Sequence, residues 1–346
     1  MLSGALLVAL IGFVLPTVTG SDWRSAVETL ALVTAWELLA LTVLWLVGVW
    51  AYTFMMAACL PGLRRTQGFA LYMVGSAVSN LLPAGGAVGV AVTWSMLRRY
   101  GHSHAAIGLY TVVTGVWNIL ARLALPAVGL GALLVVGARI DDTVLTPAIV
   151  GTVLSAVLLV AVVTALVHEG AGEWLVRGAA RVGARILGLA RRPVPEDLAP
   201  RLADLRARTS GLLRAGRVPI VAGMLAYLVL QGVLMAACLA VVGSDLGWAE
   251  VTAGYATGRM LTTIILTPGG TGFPETGTAA VLVALGGDPT ATMAGVLLFS
   301  FFTFVCEIPG GALAYPWHLR QTRPGGAWSR GDALGHLAGG AVDDAA

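Results

Sequence analysis

Long apolar stretches separated by short polar connections organise this chain. They read as 3–19, 33–59, 67–97, 104–137, 145–167, 217–243, 252–287 and 290–316. None alternates with the period of a strand, and most exceed the roughly 20 residues a helix needs to cross a hydrocarbon core. The pattern predicts an all-α polytopic membrane protein. Two of the stretches are interrupted by Gly/Pro clusters, Leu82–Gly89 and Thr267–Glu275. Backbone polar groups find no water in a bilayer, so such a break survives only where protein shelters it or a wet cavity reaches it. Breaks at matching places in two halves are also the sequence mark of a transport site.

Loop charge orients the stretches, because arginine is retained on the cytoplasmic side. Asp22, Arg24 and Glu28 place the first connection outside. Arg64 and Arg65 precede stretch 67–97, and Arg98 and Arg99 follow it. Both ends therefore belong inside, and the stretch must turn back near Pro83. Asp141 and Asp142 put the next connection outside, and the arginine-dense segment 168–216 lies inside. Asp245, Glu250 and Asp288 lie outside if 252–287 is a second hairpin turning at Pro268, and Arg320 and Arg323 return to the inside. The expectation is an inverted repeat with two re-entrant helical hairpins and about six full spans. Span 33–59, a hairpin and span 104–137 form one unit; span 217–243, a hairpin and span 290–316 form the other. Arg122 lies 39 residues after Pro83, and Glu307 lies 39 residues after Pro268. Stretch 104–137 is long for one straight span and is expected to break or tilt near Asn118.

Residues 1–320 read as a single membrane domain. Within it, 168–216 carries amphipathic helices: Arg177, Arg181 and Arg185 line one face, with Trp174, Val182, Ile186 and Leu189 supplying apolar surface. Such a helix lies among anionic lipid headgroups at the cytoplasmic face. Residues 321–346 are rich in Gly, Ala and Asp and read as a disordered cytoplasmic tail. The start carries no basic n-region, which favours a retained first span over a cleaved signal.

Composition narrows the function. The 346 residues are 57% apolar and 11% charged, and every basic residue other than histidine is arginine. Net charge of +3 suggests no nucleic-acid partner. Cys59, Cys238 and Cys306 are scattered through apolar stretches, so neither a disulfide framework nor a metal site is expected. His102 and His104 are two apart and lack further ligands. No P-loop, HExxH, CxxC pair or GxSxG element occurs, so neither a cofactor nor an enzymatic activity is expected.

Arg122, Arg259, Glu275 and Glu307 are ionisable residues within apolar stretches. Each costs about 2.5–3.5 kcal/mol at a bilayer centre on insertion scales, so it is usually paired or lines a wet cavity. The expected pairs are Arg122 with Glu307 across the repeat and Arg259 with Glu275 within the second hairpin. Structural ion pairs and a phosphate grip by a freed arginine both remain open. At the breaks, Pro83, Gly85 and Gly86 and then Pro268, Gly269, Gly270 and Gly272 would let half-helix ends offer free N–H groups to an anion. The alternative is a tight helix contact through Gly85 and Gly89.

Ser79–Gly86, containing Asn80 and Pro83, resembles the N-x-x-P-G-G break of the flippase-like lysylphosphatidylglycerol synthase transmembrane family. Pro268–Glu275 resembles its P-G-G-x-G-x-x-E break, and Gly287–Pro289 with Ala294 is similar to its helix restart. The resemblance spans roughly residues 25–320. It implies a two-repeat domain that moves lipids between leaflets, with Asn80 and the break residues at the substrate. In multiple peptide resistance factor proteins a soluble lysyl-transferring domain follows; this chain ends at Ala346, and aminoacyl transfer is not carried over. The chain lacks family arginines after the first break, at Pro274, and between Leu297 and Phe302.

The expected activity is flippase-like movement of a phosphate-bearing, glycosylated or aminoacylated lipid in a bacterial inner membrane. The partners would be a phospholipid or glycolipid substrate and anionic headgroups. An ion-coupled small-solute transporter using Glu275 or Glu307 stays open. So do a non-transporting partner of a cell-envelope glycosyltransferase, and a homodimer.

Overall fold

The computed structural model describes residues 2–82, 85–137, 142–167, 217–263, 267 and 270–322. Among these every regular element is a helix. The N-terminal part comprises α1 (Leu2–Ala9), a π turn (Leu10–Val14), α2 (Leu15–Thr19) and α3 (Trp23–Ala31). Then follow α4 (Ala35–Cys59), α5 (Arg65–Leu81), α6 (Gly85–Arg99), α7 (His104–Val135) and α8 (Asp142–Val167). The second half holds α9 (Arg217–Val241), α10 (Trp248–Leu261), α11 (Phe273–Ala284), α12 (Pro289–Ser300), a π turn (Phe301–Val305) and α13 (Glu307–Gln321). The expected amphipathic helices of 168–216 and nearly all of the tail lie outside the described residues.

Local chemistry sets the helix starts. Thr34 and Glu37 form a reciprocal capping box on α4, with the Thr34 N–H donating to Glu37 Oε2 at 2.7 Å. Ser103 and Asp288 accept from the N–H groups of Ala106 and Ala291 to start α7 and α12. Asp22 caps α3, where the Ser25 N–H holds its carboxyl below the ordinary carboxylate value.

Four described helices are long and apolar enough to cross a membrane: α4, α7, Val218–Val241 of α9, and the Pro289–Gln321 stretch. The bent pair Leu6–Thr19 and Trp23–Ala31, at 88°, makes a fifth if counted as one span. Stretch 145–167 forms α8, of which Ala148–Thr164 counts only as a shorter apolar helix. This is an all-α polytopic membrane protein. No break occurs near Asn118: α7 runs unbroken for 32 residues. The Asn118 amide donates to the Thr114 carbonyl of its own helix at 2.8 Å and so adds a bond to the turn instead of opening it.

Both interrupted stretches are helical hairpins. In the first, α5 and α6 run antiparallel, with Gly75 against Thr93 and Ser79 against Gly89. Their open ends meet, since Gly62 before α5 lies beside His102 after α6. In the second, Gly254 faces Leu282 and Gly258 faces Thr278, while Leu246 before α10 meets Gly287 after α11. The helices of the hairpins hold 17, 15, 14 and 12 residues. At about 1.5 Å per residue none reaches across a hydrocarbon core of about 30 Å. Spans α4 and α9 are antiparallel, because Gly48 meets Leu230 while Gly223 meets Met55. The first hairpin opens where α4 ends, and the second where α9 ends. The two therefore open at opposite ends of the bundle.

The packing partners are exchanged between the halves. Arm α5 of the first hairpin packs on α13 of the second half, and arm α10 of the second packs on α7 of the first. These contacts use small residues, as expected where lipid tails are as apolar as the side chains. A Cβ at Gly311 would run into Ala77 Cβ and lie 2.7 Å from the Met73 carbonyl oxygen. Gly311→Ala is therefore expected to lower stability by about 1–3 kcal/mol through overpacking. Gly131→Ala, whose methyl meets nothing within 4 Å, is expected to leave it unchanged or slightly higher. Thermal unfolding in detergent checks both.

Candidate functional site

The bundle encloses a cavity of about 230 Å³ between α4, α5, α7, α9, the second hairpin and the α12–α13 stretch. Its wall is unusually polar for a membrane interior: Tyr52, Tyr72, Asn80, Asn118, Arg122, Tyr227, Arg259, Glu275 and Glu307 all line it. The sequence places these residues by helical register, so that one polar face of each mostly apolar helix turns inward.

Glu307 sits at the start of α13, directly after the π turn, and is buried. Tyr72 Oη donates to its Oε1 at 2.8 Å, and Asn80 Nδ2 donates to its Oε2 at 3.0 Å. The same amide donates to the Phe304 carbonyl at 3.2 Å. Tyr72 and Tyr227 hydroxyls lie 3.3 Å apart. Since Tyr72 spends its proton on Glu307, Tyr227 is the donor between them. Tyr52 accepts from Asn118 Nδ2 at 2.7 Å, and its ring lies 4.9 Å from that of Tyr227 and 5.6 Å from that of Tyr72. Three tyrosines from α4, α5 and α9 thus form one packed wall.

Glu275 serves a different purpose. At the start of α11, Gly272 adopts φ +99°, a conformation that favours glycine. The Gly272 N–H donates to Glu275 Oε2 at 2.6 Å, and Ser300 Oγ donates to Oε1 at 2.9 Å. The carboxylate caps its own helix and ties the second hairpin to α12.

Neither expected ion pair forms. Among the described residues the ion pair within 4 Å is Arg24 with Glu28, on the exposed surface. Neutral donors already occupy both cavity carboxylates, so they have no need of an arginine. Arg122 reaches the Thr262 carbonyl through Nη1 at 3.4 Å, and its Nε has no partner. The Arg259 guanidinium stands 5.8 Å from the Tyr227 ring centre, and its Nε also lacks a partner. Two guanidinium groups face one cavity with unused donors.

Residues 1–310 match the family described as the lysylphosphatidylglycerol synthase TM region. The chain belongs to this family. No curated protein matches the sequence. Membership gives this multi-pass membrane protein a role in lipid modification or translocation.

Of the residues singled out from the sequence, Asn80, Arg122, Arg259, Glu275 and Glu307 come together around the cavity. Among the described residues, the glycines of the breaks do not line it. Gly85 packs on the Ser79 backbone, Gly86 is exposed, and Gly270 and Gly272 shape the turn into α11 with φ of +73° and +99°. Pro83, Pro268 and Gly269 lie outside the described residues. Of the hairpins, the first arm of the first and both arms of the second contribute to the polar wall, and α6 contributes nothing to it. Tyr52, Tyr72, Tyr227, Ser300 and Thr303 were not anticipated. Tyrosine inside an apolar stretch, away from its usual place at a span end, was the available signal.

With no Arg122–Glu307 bond to break, the effects of Arg122→Gln and Glu307→Gln on thermal stability should be additive. Asn80→Ala and Glu307→Gln should be strongly non-additive, since they share a bond. Asn80→Ala alone should cost about 1–3 kcal/mol by leaving buried acceptors unmet. A double-mutant cycle on thermal unfolding in detergent measures both couplings.

Proposed function

We propose that this protein moves a lipid with an anionic headgroup between the leaflets of a bacterial inner membrane, without chemically modifying it. The carrying observation is the charge arrangement of the cavity. Arg122 and Arg259 keep unused donors, while Glu275 and Glu307 are each occupied by neutral groups. An unpaired guanidinium away from water is costly, and a phosphate diester is the acceptor its donor fork fits. The headgroup enters the cavity, its phosphate bridges the two guanidinium groups, and its acyl chains stay in hydrocarbon.

We read the two halves as an inverted repeat. The exchanged packing of α5 on α13 and of α10 on α7, with hairpins opening at opposite ends, supports that relation. Rocking one half against the other would expose the arginines to each side in turn.

The test is inter-leaflet exchange of a fluorescent phosphatidylglycerol in proteoliposomes, read by quenching of the outer leaflet. The protein should accelerate exchange, and Arg122→Gln or Arg259→Gln should each slow it about tenfold or more, as expected for losing a charge-assisted bond of about 1.5–3 kcal/mol. Wild-type protein that leaves exchange of anionic and glycosylated lipids at the protein-free rate would refute the proposal.

A further inference from the structure

A second hollow adjoins the polar cavity. It is a groove of about 640 Å³ between the N-terminal helices α1 and α3, the start of α4 and the π turn after α12. Its lining is almost wholly apolar, including Ile11, Leu30, Leu38, Leu297, Phe301 and Val305. At its inner end stand Asn80, Glu275, Ser300 and Phe304, and these same four residues also line the polar cavity. The two hollows share this wall. One end offers arginines and hydroxyls; the other offers almost entirely hydrocarbon contacts.

The groove's outer edge is open. Phe301 is 44% exposed and Val305 50% exposed, and both lie at the middle of the Pro289–Gln321 span. At that depth the surroundings are acyl chains, not water. The π turn creates the opening. Its wider ring, closed by the Cys306 N–H on the Phe301 carbonyl, buries Phe302 against Trp45 and leaves Phe301 on the outside. A volume of this size falls within the usual range for a ligand pocket, which is about 300–1,000 Å³.

We propose that the groove holds an acyl chain of the lipid whose headgroup occupies the polar cavity, entering sideways past Phe301 and Val305. The inference rests on the headgroup assignment made above. It adds where one chain of that lipid lies, and that α1 and α3 cover it. Asn80, Glu275, Ser300 and Phe304 mark the boundary between headgroup and chain. The first three are held in place by the bonds already described, so the boundary is rigid.

The experiment uses the full chain in detergent and two probes with the same headgroup, dioleoyl- and dihexanoyl-phosphatidylglycerol. Native mass spectrometry gives the affinity of each. Val305→Trp and Leu38→Trp fill the groove from positions already exposed, so either can be read alone if the other fails to fold. Val229→Trp, 62% exposed on α9 and outside the groove, is the control. Wild type and control should prefer the dioleoyl probe at least tenfold. The groove variants should lose that preference and bind the dihexanoyl probe unchanged, whereas Arg259→Gln should weaken both probes alike. Equal affinity for both probes in wild type, or a preference that survives in the groove variants, overturns the groove and leaves the headgroup assignment standing. Binding of neither probe by wild type overturns the headgroup assignment, and the groove with it.

Discussion

Everything in this bundle turns on one requirement: a helix that stops inside hydrocarbon must find partners for the backbone groups it leaves open. Side chains answer it at each interruption. The Asn80 amide reaches the Phe304 carbonyl in the π turn before α13, and the Glu275 carboxylate takes the Gly272 N–H. Thr267 Oγ1 donates to the Thr271 carbonyl, and the Gly270 N–H returns to the Thr267 carbonyl at 3.0 Å. These polar side chains must sit deep in the bundle for the hairpins to exist. Once there, they are also the material of a polar cavity.

That double use accounts for the fate of the four intramembrane charges. The carboxylates are committed: Glu275 to a helix start, Glu307 to a tyrosine and an asparagine that hold it still. The arginines are left over. An ion pair would have neutralised the interior and sealed it, since desolvated charges repay their cost only when closely matched. The arrangement instead leaves cationic donors facing a space that shares a wall with an apolar groove. A headgroup that brings its own negative charge, attached to chains that belong in hydrocarbon, matches both surfaces at once.

The helix ends and the glycine contacts serve this geometry. Close approach at Gly311 and Gly223 brings α13 against α5 and α9 against α4. Tyr72 thereby comes within hydrogen-bond reach of both Tyr227 and Glu307, joining three helices. The π turn before Glu307 has two consequences from one extra residue. It turns the carboxylate inward beside Asn80 and puts Phe301 on the lipid-facing side.

Much of this was legible in the sequence. Apolar run length and arginine placement suffice for helices and for two hairpins that open at opposite ends of the bundle, because burial and loop charge are local properties of the chain. The motif around Asn80 and the deep positions of Arg122, Arg259, Glu275 and Glu307 were equally visible, since a charge in an apolar run is conspicuous. Partners were not. Opposite charges at matching offsets suggested two ion pairs, yet hydroxyls and amides from other helices reach the carboxylates first, and only the crossing of α5 with α13 decides that. The unbroken α7, the cavity between the halves and the groove beneath α1 and α3 likewise depend on which residues of distant segments face one another. Hydrophobic pattern constrains one helix at a time; the register between helices is set by close packing, and packing exists only in three dimensions.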